Sequence, residues 1–113
     1  MRTDGESLFR SGRFSYRLAS GWARWPEGMG GHQVCGVACD AYDSVYALTR
    51  SPDWPIVVFA PDGRYLRHFG KELFDYPKGS RAHGISIARD GTIWCCDDGA
   101  HVAFQLSPTG ELI

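Results

Sequence analysis

The sequence lacks the long apolar runs that mark export or membrane insertion. Its first residues, MRTDGESLFRSGRF, are polar and contain no apolar stretch of signal-peptide length. No other run approaches the roughly 20 apolar residues that span a bilayer. The net charge of −1 gives no electrostatic basis for binding nucleic acid or an anionic membrane. We therefore expect a cytoplasmic protein with neither nucleic acid nor membrane as a partner.

The sequence also lacks cysteines at metal-binding or redox spacing. Its cysteines form two close pairs, Cys35 with Cys39 and Cys95 with Cys96, and neither pair has the two-residue spacer of a zinc knuckle. Neighbouring residues of a strand point to opposite faces, so Cys95 and Cys96 are poorly placed to share one metal ion. We expect all four to be small, buried, reduced residues.

Helical periodicity is missing as well, because no window of helical length has apolar residues at a spacing of about 3.6. Short runs rich in β-branched and aromatic residues follow one another instead, each bounded by Asp, Gly or Pro. The runs are VCGVACD, SVYALTR, IVVFA and RYLRHF, then HGISIA, TIWCC and HVAFQL. The pattern predicts an all-β chain of closely and regularly spaced strands.

The two halves of the chain repeat each other. Val37 aligns with Ile85 and Arg50 with Asp98 at an offset of 48 residues, and the turns APDGRYL and SPTGELI align at an offset of 47. Four short strands in a repeat of this length are typical of a β-propeller blade. We therefore expect two adjacent four-stranded antiparallel blades, with Val37 and Ile85 on their innermost strands.

The repeat divides the chain into an N-terminal segment, residues 1–32, a first blade, residues 33–80, and a second blade, residues 81–113. RFSYRLA, residues 13–19, is expected to be an outer strand of a neighbouring blade. The second blade has three strands and the beginning of a fourth, so we expect it to be incomplete. Two blades alone leave apolar faces uncovered. The expected partners are therefore the remaining propeller blades, supplied by a longer chain or by a homo-oligomer.

Three motifs occur in order along the chain: LTR at the end of the second strand, GKELF in the linker and HGISI at the start of the next blade. In these motifs the chain resembles the NHL-repeat six-bladed β-propellers, and within them peptidyl-α-hydroxyglycine α-amidating lyase and its bacterial relatives. The resemblance extends from about Gln33 to Ile113. It implies part of a propeller related to a zinc-assisted C–N lyase, with a small peptide-like substrate and with zinc and calcium as cofactors.

The resemblance implies roles for four positions. His83, in AHGI, matches one of three histidines that hold zinc in the lyase, and Arg50 matches an arginine that contacts substrate. Val37 and Ile85 match residues whose main-chain oxygens bind a structural calcium ion. Three protein ligands with an open fourth position are the usual arrangement of catalytic zinc. An arginine offers paired donors to a carboxylate.

The residues also leave other interpretations open. His83 could cap its strand and hydrogen-bond a neighbouring carbonyl, and Arg50 could form a rim salt bridge with Asp53 or Asp98. The other zinc histidines and the catalytic tyrosine of the lyase would lie beyond Ile113, so the chain would be incomplete as an enzyme. The alternative function is a non-catalytic propeller module that binds a protein or a small ligand at one mouth of the ring.

Two further expectations concern residues outside that set. Cys35 aligns with His83 at the 48-residue offset, so it should also lie near the propeller axis, as a small packing residue. Trp22, Trp25 and Trp54 lie in the Gly- and Pro-containing segments GWARWPEG and SPDWP. We expect these tryptophans to cover the edge of a blade.

Overall fold

The computed structural model describes residues 8–113, and residues 1–7 of the predicted N-terminal segment lie outside the described residues. The described strands form antiparallel sheets of two, four and three strands. One short 3-10 helix, Tyr76–Lys78, lies between the two larger sheets. Within residues 8–113, no helix has the length and apolarity needed to span a membrane.

The two larger sheets are the predicted blades, and in each the strands follow in chain order. Blade one consists of β3 Val34–Cys39, β4 Val45–Thr49, β5 Ile56–Phe59 and β6 Tyr65–Phe69. Blade two consists of β7 Ala82–Ile87, β8 Ile93–Asp97 and β9 Val102–Leu106. Beyond β9, a single bridge joins Leu106 to Leu112, where a fourth strand would pair. The fold is therefore all-β and propeller-like, as predicted, with Val37 and Ile85 on the innermost strands.

The blades pack face to face around one hydrophobic cluster. Leu48 and Ile56 of blade one are fully buried, as are Ile93 and Leu106 of blade two. Phe74, from the linker between the blades, completes the cluster. Burial of one such side chain contributes about 1.5–3 kcal/mol. This cluster fixes the position of the second blade on the first.

The inner strands β3 and β7 approach closely because Gly36 has no side chain. An added Cβ atom at Gly36 would lie 3.3 Å from Ile85 Cγ2 and 3.4 Å from the Ile85 nitrogen. Ile85 therefore occupies the space that a side chain at Gly36 would fill. The contact brings the starts of both inner strands to one end of the blade pair.

The opposite face of blade one is covered by the N-terminal segment. Trp22 and Trp25 pack on Phe59, with ring centroids 6.0 and 5.0 Å away, and Met29 is buried in the same cluster. Trp54 packs there as well. The three tryptophans thus lie against a blade, as expected from their sequence context. The cover extends over the outer strands only, because Val37 on β3 is 63% exposed.

The segment RFSYRLA contains a strand, which lies in a sheet separate from the two blades. Its central residues form β2, Phe14–Arg17, which pairs with β1, Leu8–Ser11, in a separate hairpin. Neither strand pairs with a strand of blade one or blade two. Arg13, where the strand was expected to begin, lies in the turn between β1 and β2. The tight turn places Gly12 at a φ of 58°, a conformation that favours glycine.

Candidate functional site

Each inner strand contains one bulge residue near its start. The register of β3 against β4 shifts around Cys35, and the register of β7 against β8 shifts in the same way around His83. A bulge leaves its extra residue out of the ladder and redirects its side chain. The two positions that the sequence repeat aligns are therefore equivalent in the structure, and both lie at the same end of the blades.

Arg50 connects the two blades at this end. Its Nε donates a hydrogen bond to the carbonyl oxygen of Ala82, at the start of β7, at 3.0 Å. Its Nη1 donates to Gln33 Oε1, also at 3.0 Å. An arginine has five N–H donors, so the guanidinium retains donors for a ligand. The side chain is half-buried and held in one orientation by both blades.

In blade two, an acid–base pair occupies the positions equivalent to Gln33 and Arg50. Arg81 donates to both carboxylate oxygens of Asp98, at 2.7 and 3.0 Å. These hydrogen bonds hold the pKa of Asp98 below its usual value. His83 Nδ1 lies 3.6 Å from Asp98 Oδ2, and the His83 side chain is 60% exposed. The imidazole is thus open to solvent on one side and faces a carboxylate on the other.

These residues surround a cleft, which we name the mouth cleft. It has a volume of about 520 Å³ and is lined by Gln33, Val34, Cys35, Arg50 and His83. Arg50 comes from blade one and His83 from blade two, so two of the predicted site residues meet across the blade interface. The cleft offers hydrogen-bond donors from a guanidinium and an imidazole at its open side.

The contacts decide the alternatives that the sequence left open for Arg50. Asp53 lies 3.8 Å from Lys71 and Asp98 pairs with Arg81, so the acids named as salt-bridge partners have other cationic neighbours. The hydrogen bonds of Arg50 are to Ala82 and Gln33 instead. The proposed rim salt bridge of Arg50 is therefore wrong, because this side chain crosses to the neighbouring blade.

Cys35 lies in the cleft with its thiol directed back into blade one. Its Sγ donates to the Leu48 carbonyl oxygen at 3.4 Å. Burial raises the pKa of the Cys35 thiol, and the positive charge of Arg50 opposes the rise. Cys35, Cys95 and Cys96 are at least partly buried and Cys39 is exposed, and all four are free thiols. The expectation of burial is wrong for Cys39.

Val37 and Ile85 occupy matching register positions, opposite Ala47 and Cys95. In each inner strand a hydrogen bond closes the following turn, from Asp40 N to the Ser44 oxygen at 3.1 Å and from Ala88 N to the Thr92 oxygen at 2.8 Å. Hydrogen-bonded and non-hydrogen-bonded pairs alternate along an antiparallel ladder.

Val37 lies three residues before Asp40, and Ile85 lies three residues before Ala88. Because hydrogen-bonded and non-hydrogen-bonded pairs alternate from these turns, Val37 and Ile85 belong to non-hydrogen-bonded pairs. Their carbonyl groups are therefore directed away from β4 and β8, toward the inner edge of each blade. Within residues 8–113, the structure contains no group of three His, Cys, Asp or Glu side chains that could hold a metal ion.

Sequence reasoning did not predict the contacts of three residues in this region. Gln33 accepts a hydrogen bond from Arg50, Asp98 Oδ2 lies 3.6 Å from His83 Nδ1, and the buried hydroxyl of Tyr76 has no hydrogen-bond partner among the described residues. Burial raises the pKa of Tyr76. The sequence repeat could have pointed to Gln33 and Asp98. At the 48-residue offset, Gln33 corresponds to Arg81 and Arg50 corresponds to Asp98.

Two chain-ordered antiparallel blades, packed face to face with their inner strands together, define a β-propeller module with a cleft at one mouth. Comparison with known proteins adds the type of repeat. The chain is 32% identical, over 111 residues and 93% of its length, to NHL repeat-containing protein 3 of Homo sapiens. This similarity supports an NHL-repeat type of blade. The chain spans 31% of the length of that relative, and no family model matches the chain.

Proposed function

We propose that this blade pair is a ligand-binding module of an NHL-type β-propeller, and that its mouth cleft binds a small ligand carrying a carboxylate. The observation that supports the proposal is the meeting of Arg50 and His83, from different blades, in one open cleft. Propellers commonly enclose a central channel. A site at its mouth would use residues such as His83, near the start of the inner strand β7, and Arg50, just after the end of β4.

The chemistry of the cleft favours a carboxylate over a neutral ligand. Arg50 is pre-oriented by Gln33 and by the Ala82 carbonyl, so little side-chain freedom is lost when it binds a ligand. A guanidinium binds a carboxylate through parallel, charge-assisted hydrogen bonds. Asp98 would repel an anion, but Arg81 already neutralises it through two hydrogen bonds. The cleft therefore presents net positive character to a ligand.

The test is a titration of the chain with N-acetylglycine, followed by NMR chemical shifts. N-Acetylglycinamide, which has the same shape without the negative charge, serves as the matched ligand. We expect N-acetylglycine to shift the resonances of the mouth cleft and the amide to leave them unchanged. Arg50→Gln should weaken binding by about tenfold or more, as expected for loss of a charge-assisted pair of about 1.5–3 kcal/mol.

Two variants make the result interpretable. Gln33→Ala removes one support of Arg50 and should weaken binding without changing the melting temperature, because Gln33 is exposed. Arg89→Gln changes an exposed arginine in the turn after β7 and should have no effect on binding. Equal binding of the acid and its amide, or full binding by Arg50→Gln, would contradict the proposal.

A zinc-assisted lyase activity is a finer form of the same proposal. His83 would supply one imidazole ligand, and its exposed side chain is suitably placed at the mouth. Histidines that bind zinc commonly have a carboxylate beside the second ring nitrogen, and Asp98 occupies that position relative to Nδ1. The further ligands would come from other blades. Bound zinc would polarise the substrate or lower the pKa of a bound water.

The finer proposal has its own test. Zinc and calcium are measured by elemental analysis after dialysis of the chain alone and of the chain assembled with further blades. Zinc that is retained in the assembly and lost in His83→Ala would support a lyase-type site. Zinc that survives His83→Ala would contradict it while leaving carboxylate binding by Arg50 unaffected. Calcium held by the main-chain oxygens of Val37 and Ile85 should be retained in the same variant.

A further inference from the structure

The outer face of blade two is a sheet surface with small and apolar side chains. Its residues alternate with the buried ones along β7, β8 and β9, and we name them the docking face: Gly84, Ser86, Trp94, Cys96, Ala103 and Gln105. Trp94 is 45% exposed at its centre. A shallow groove of about 280 Å³ lies over this face beside Gly84 and Trp94.

The sequence repeat shows what kind of surface fits this face. At an offset of 48 residues, Trp94 corresponds to Tyr46 and Gly84 to Gly36. Tyr46 is only 6% exposed, because blade two covers it, and Gly36 receives the side chain of Ile85. The docking face therefore has the form of a face that is covered by a blade within this same chain.

A surface that could pack on the docking face is present at the other end of the blade pair. We name it the complementary surface: the face of blade one that points away from blade two and includes Val37. Val37 corresponds to Ile85 in the repeat, and it lies on the face of blade one that points away from blade two. Ile85 fills the space above Gly36, whereas Val37 is 63% exposed. One chain thus has an exposed branched side chain at one end and a half-buried glycine, Gly84, at the other. A Cβ atom at Gly84 would lie 3.0 Å from Cys96 Sγ, so the thiol would have to turn aside for Val37 to enter.

The N-terminal segment covers the outer part of the complementary surface, in the place where a preceding blade would pack. A Cβ atom on Gly110 would overlap the ring of Phe69, which belongs to the preceding blade. A Cβ atom on Gly63 would overlap Trp22, and both pairs are related by an offset of 47 residues. Trp22 therefore stands where the outer strand of a preceding blade would end, and the inner part of the surface, around Val37, stays open.

From these matched surfaces we infer that the docking face binds a second copy of this chain, head to tail. Val37 of one copy would lie against Gly84 of the next, as Ile85 lies against Gly36 within the chain. Trp94 would be buried as Tyr46 is buried. The contact is heterologous, because it joins two different surfaces, and repetition of such a contact closes a ring when the rotation permits.

The arrangement has a consequence for the mouth cleft. Each added copy would bring another Arg50 and another His83 to the same end of the propeller. Known propellers have about four to eight blades, so a closed ring would contain two to four copies. Burial of an aromatic residue such as Trp94 at the centre of an interface commonly supplies much of the binding energy.

The test uses two single variants of the full chain and sedimentation velocity. Trp94→Glu places a charge on the docking face, and Val37→Glu places one on the complementary surface. Both side chains are exposed, so both variants should fold. We expect the unmodified chain to self-associate. Each variant should have a dissociation constant at least about tenfold higher, as for loss of a central contact. Tyr42→Glu, at an 84% exposed residue outside both surfaces, should associate normally.

Mixing the two variants distinguishes this arrangement from nonspecific association. The Trp94→Glu chain keeps Val37, and the Val37→Glu chain keeps Trp94, so the mixture retains one intact contact. We expect a one-to-one dimer that grows no further. A mixture that stays monomeric while the unmodified chain associates would overturn the inference, as would association of the unmodified chain that survives both substitutions.

A chain that is monomeric at its highest soluble concentration would also overturn the inference. A longer chain would then show what covers the docking face. A copy of residues 67–113, with serine in place of its two cysteines, is joined after Ile113 to supply one further blade. Protection of Cys96 from alkylation in that extended chain would assign the docking face to a further blade of a longer polypeptide. Binding of N-acetylglycine by the monomer would be unaffected by either result, so the two proposals fail separately.

Discussion

The backbone oxygen of Trp22 lies where a Cβ atom of Gly63 would be. Two hydrogen bonds hold the segment there, from Arg24 N to the Gly63 oxygen at 3.0 Å and from Trp22 Nε1 to the Pro61 oxygen at 3.1 Å. Gly63 also has a φ of 90°, which disfavours other residues. One turn of blade one therefore anchors the N-terminal segment and the cover of Phe59 that it provides.

We expect Gly63→Ala to destabilise the protein for two reasons: the left-handed backbone conformation of residue 63 and the overlap of the added Cβ atom with Trp22. The strained φ costs about 1–2 kcal/mol, and overlap in a packed region adds about 1–3 kcal/mol. Gly79→Ala is the matched control, since Gly79 has a φ of 98° and open space around it. In urea unfolding, the free energy of unfolding should fall clearly more for Gly63→Ala than for Gly79→Ala. Equal losses would mean that the contact with Trp22 does not constrain the native state.

Asp97 should make the protein sensitive to acid. The residue is 2% exposed, and its carboxylate accepts hydrogen bonds from the backbone nitrogens of Arg81, Ala100 and Gly99 at 2.7, 2.9 and 3.1 Å. Burial acts to raise the pKa of Asp97, but these hydrogen bonds outweigh it and leave the pKa below its ordinary value.

A depressed pKa in the folded state means that stability is present above the unfolded-state value of about 3.9. That stability is lost as the pH falls through the lower, folded-state pKa. We expect Asp97→Asn to lose about 1–3 kcal/mol at neutral pH and to show a flatter dependence of stability on pH below about pH 4. The exposed Asp75→Asn is the control, and thermal unfolding across this range is the measurement. An unchanged slope in Asp97→Asn would contradict the assignment.

The cysteines should react in an order set by burial. Burial raises the pKa of Cys95 to about 12, whereas Cys39 is exposed. Because the thiolate is the reactive form, iodoacetamide at mildly alkaline pH should modify Cys39 first and Cys95 last, as read by peptide mass spectrometry. The same chain in urea should lose this order. Early modification of Cys95 in the native protein would show that its strand opens readily.

His101 stands in a left-handed conformation, with a φ of 62°, just before β9. Relief of that strain favours His101→Gly by about 1–2 kcal/mol, and the greater freedom of glycine in the unfolded chain opposes it by about 0.5–1 kcal/mol. We therefore expect a net gain of about 0.5–1 kcal/mol in the free energy of unfolding. His101→Ala, which removes the imidazole but keeps Cβ, should show no gain. A gain in both variants would point to the imidazole instead.

The strands and their order could be predicted from the sequence because period-2 patterning and turn residues are local signals. Val37 and Ile85 were placed on the inner strands by the repeat alone. The repeat also aligned Cys35 with His83, but no local signal showed that both are bulge residues. A bulge is defined by the register against a partner strand, and that register appears only once the strands pair.

The candidate site was predictable in its residues and not in its contacts. Arg50 and His83 were identified by resemblance, yet the bond from Arg50 to Ala82 depends on how the two blades pack. The position of Trp22 over Gly63 likewise depends on a fold-back of the N-terminal segment. Neither contact leaves a pattern along the chain, because the residues concerned are separated by 32 and 41 positions respectively.

The bulges at Cys35 and His83 place one residue of each blade outside its strand ladder and in the lining of the mouth cleft. A bulge residue lies outside the ladder, so replacing it does not shift the strand register, although the Cys35 thiol also packs against the core between the blades. The chain already contains two versions of one scaffold, with a thiol at this position in one blade and an imidazole in the other. If the mouth cleft binds the ligand proposed for it, a change at this one position in each blade would alter the chemistry offered to the ligand while the strands and their order stay the same.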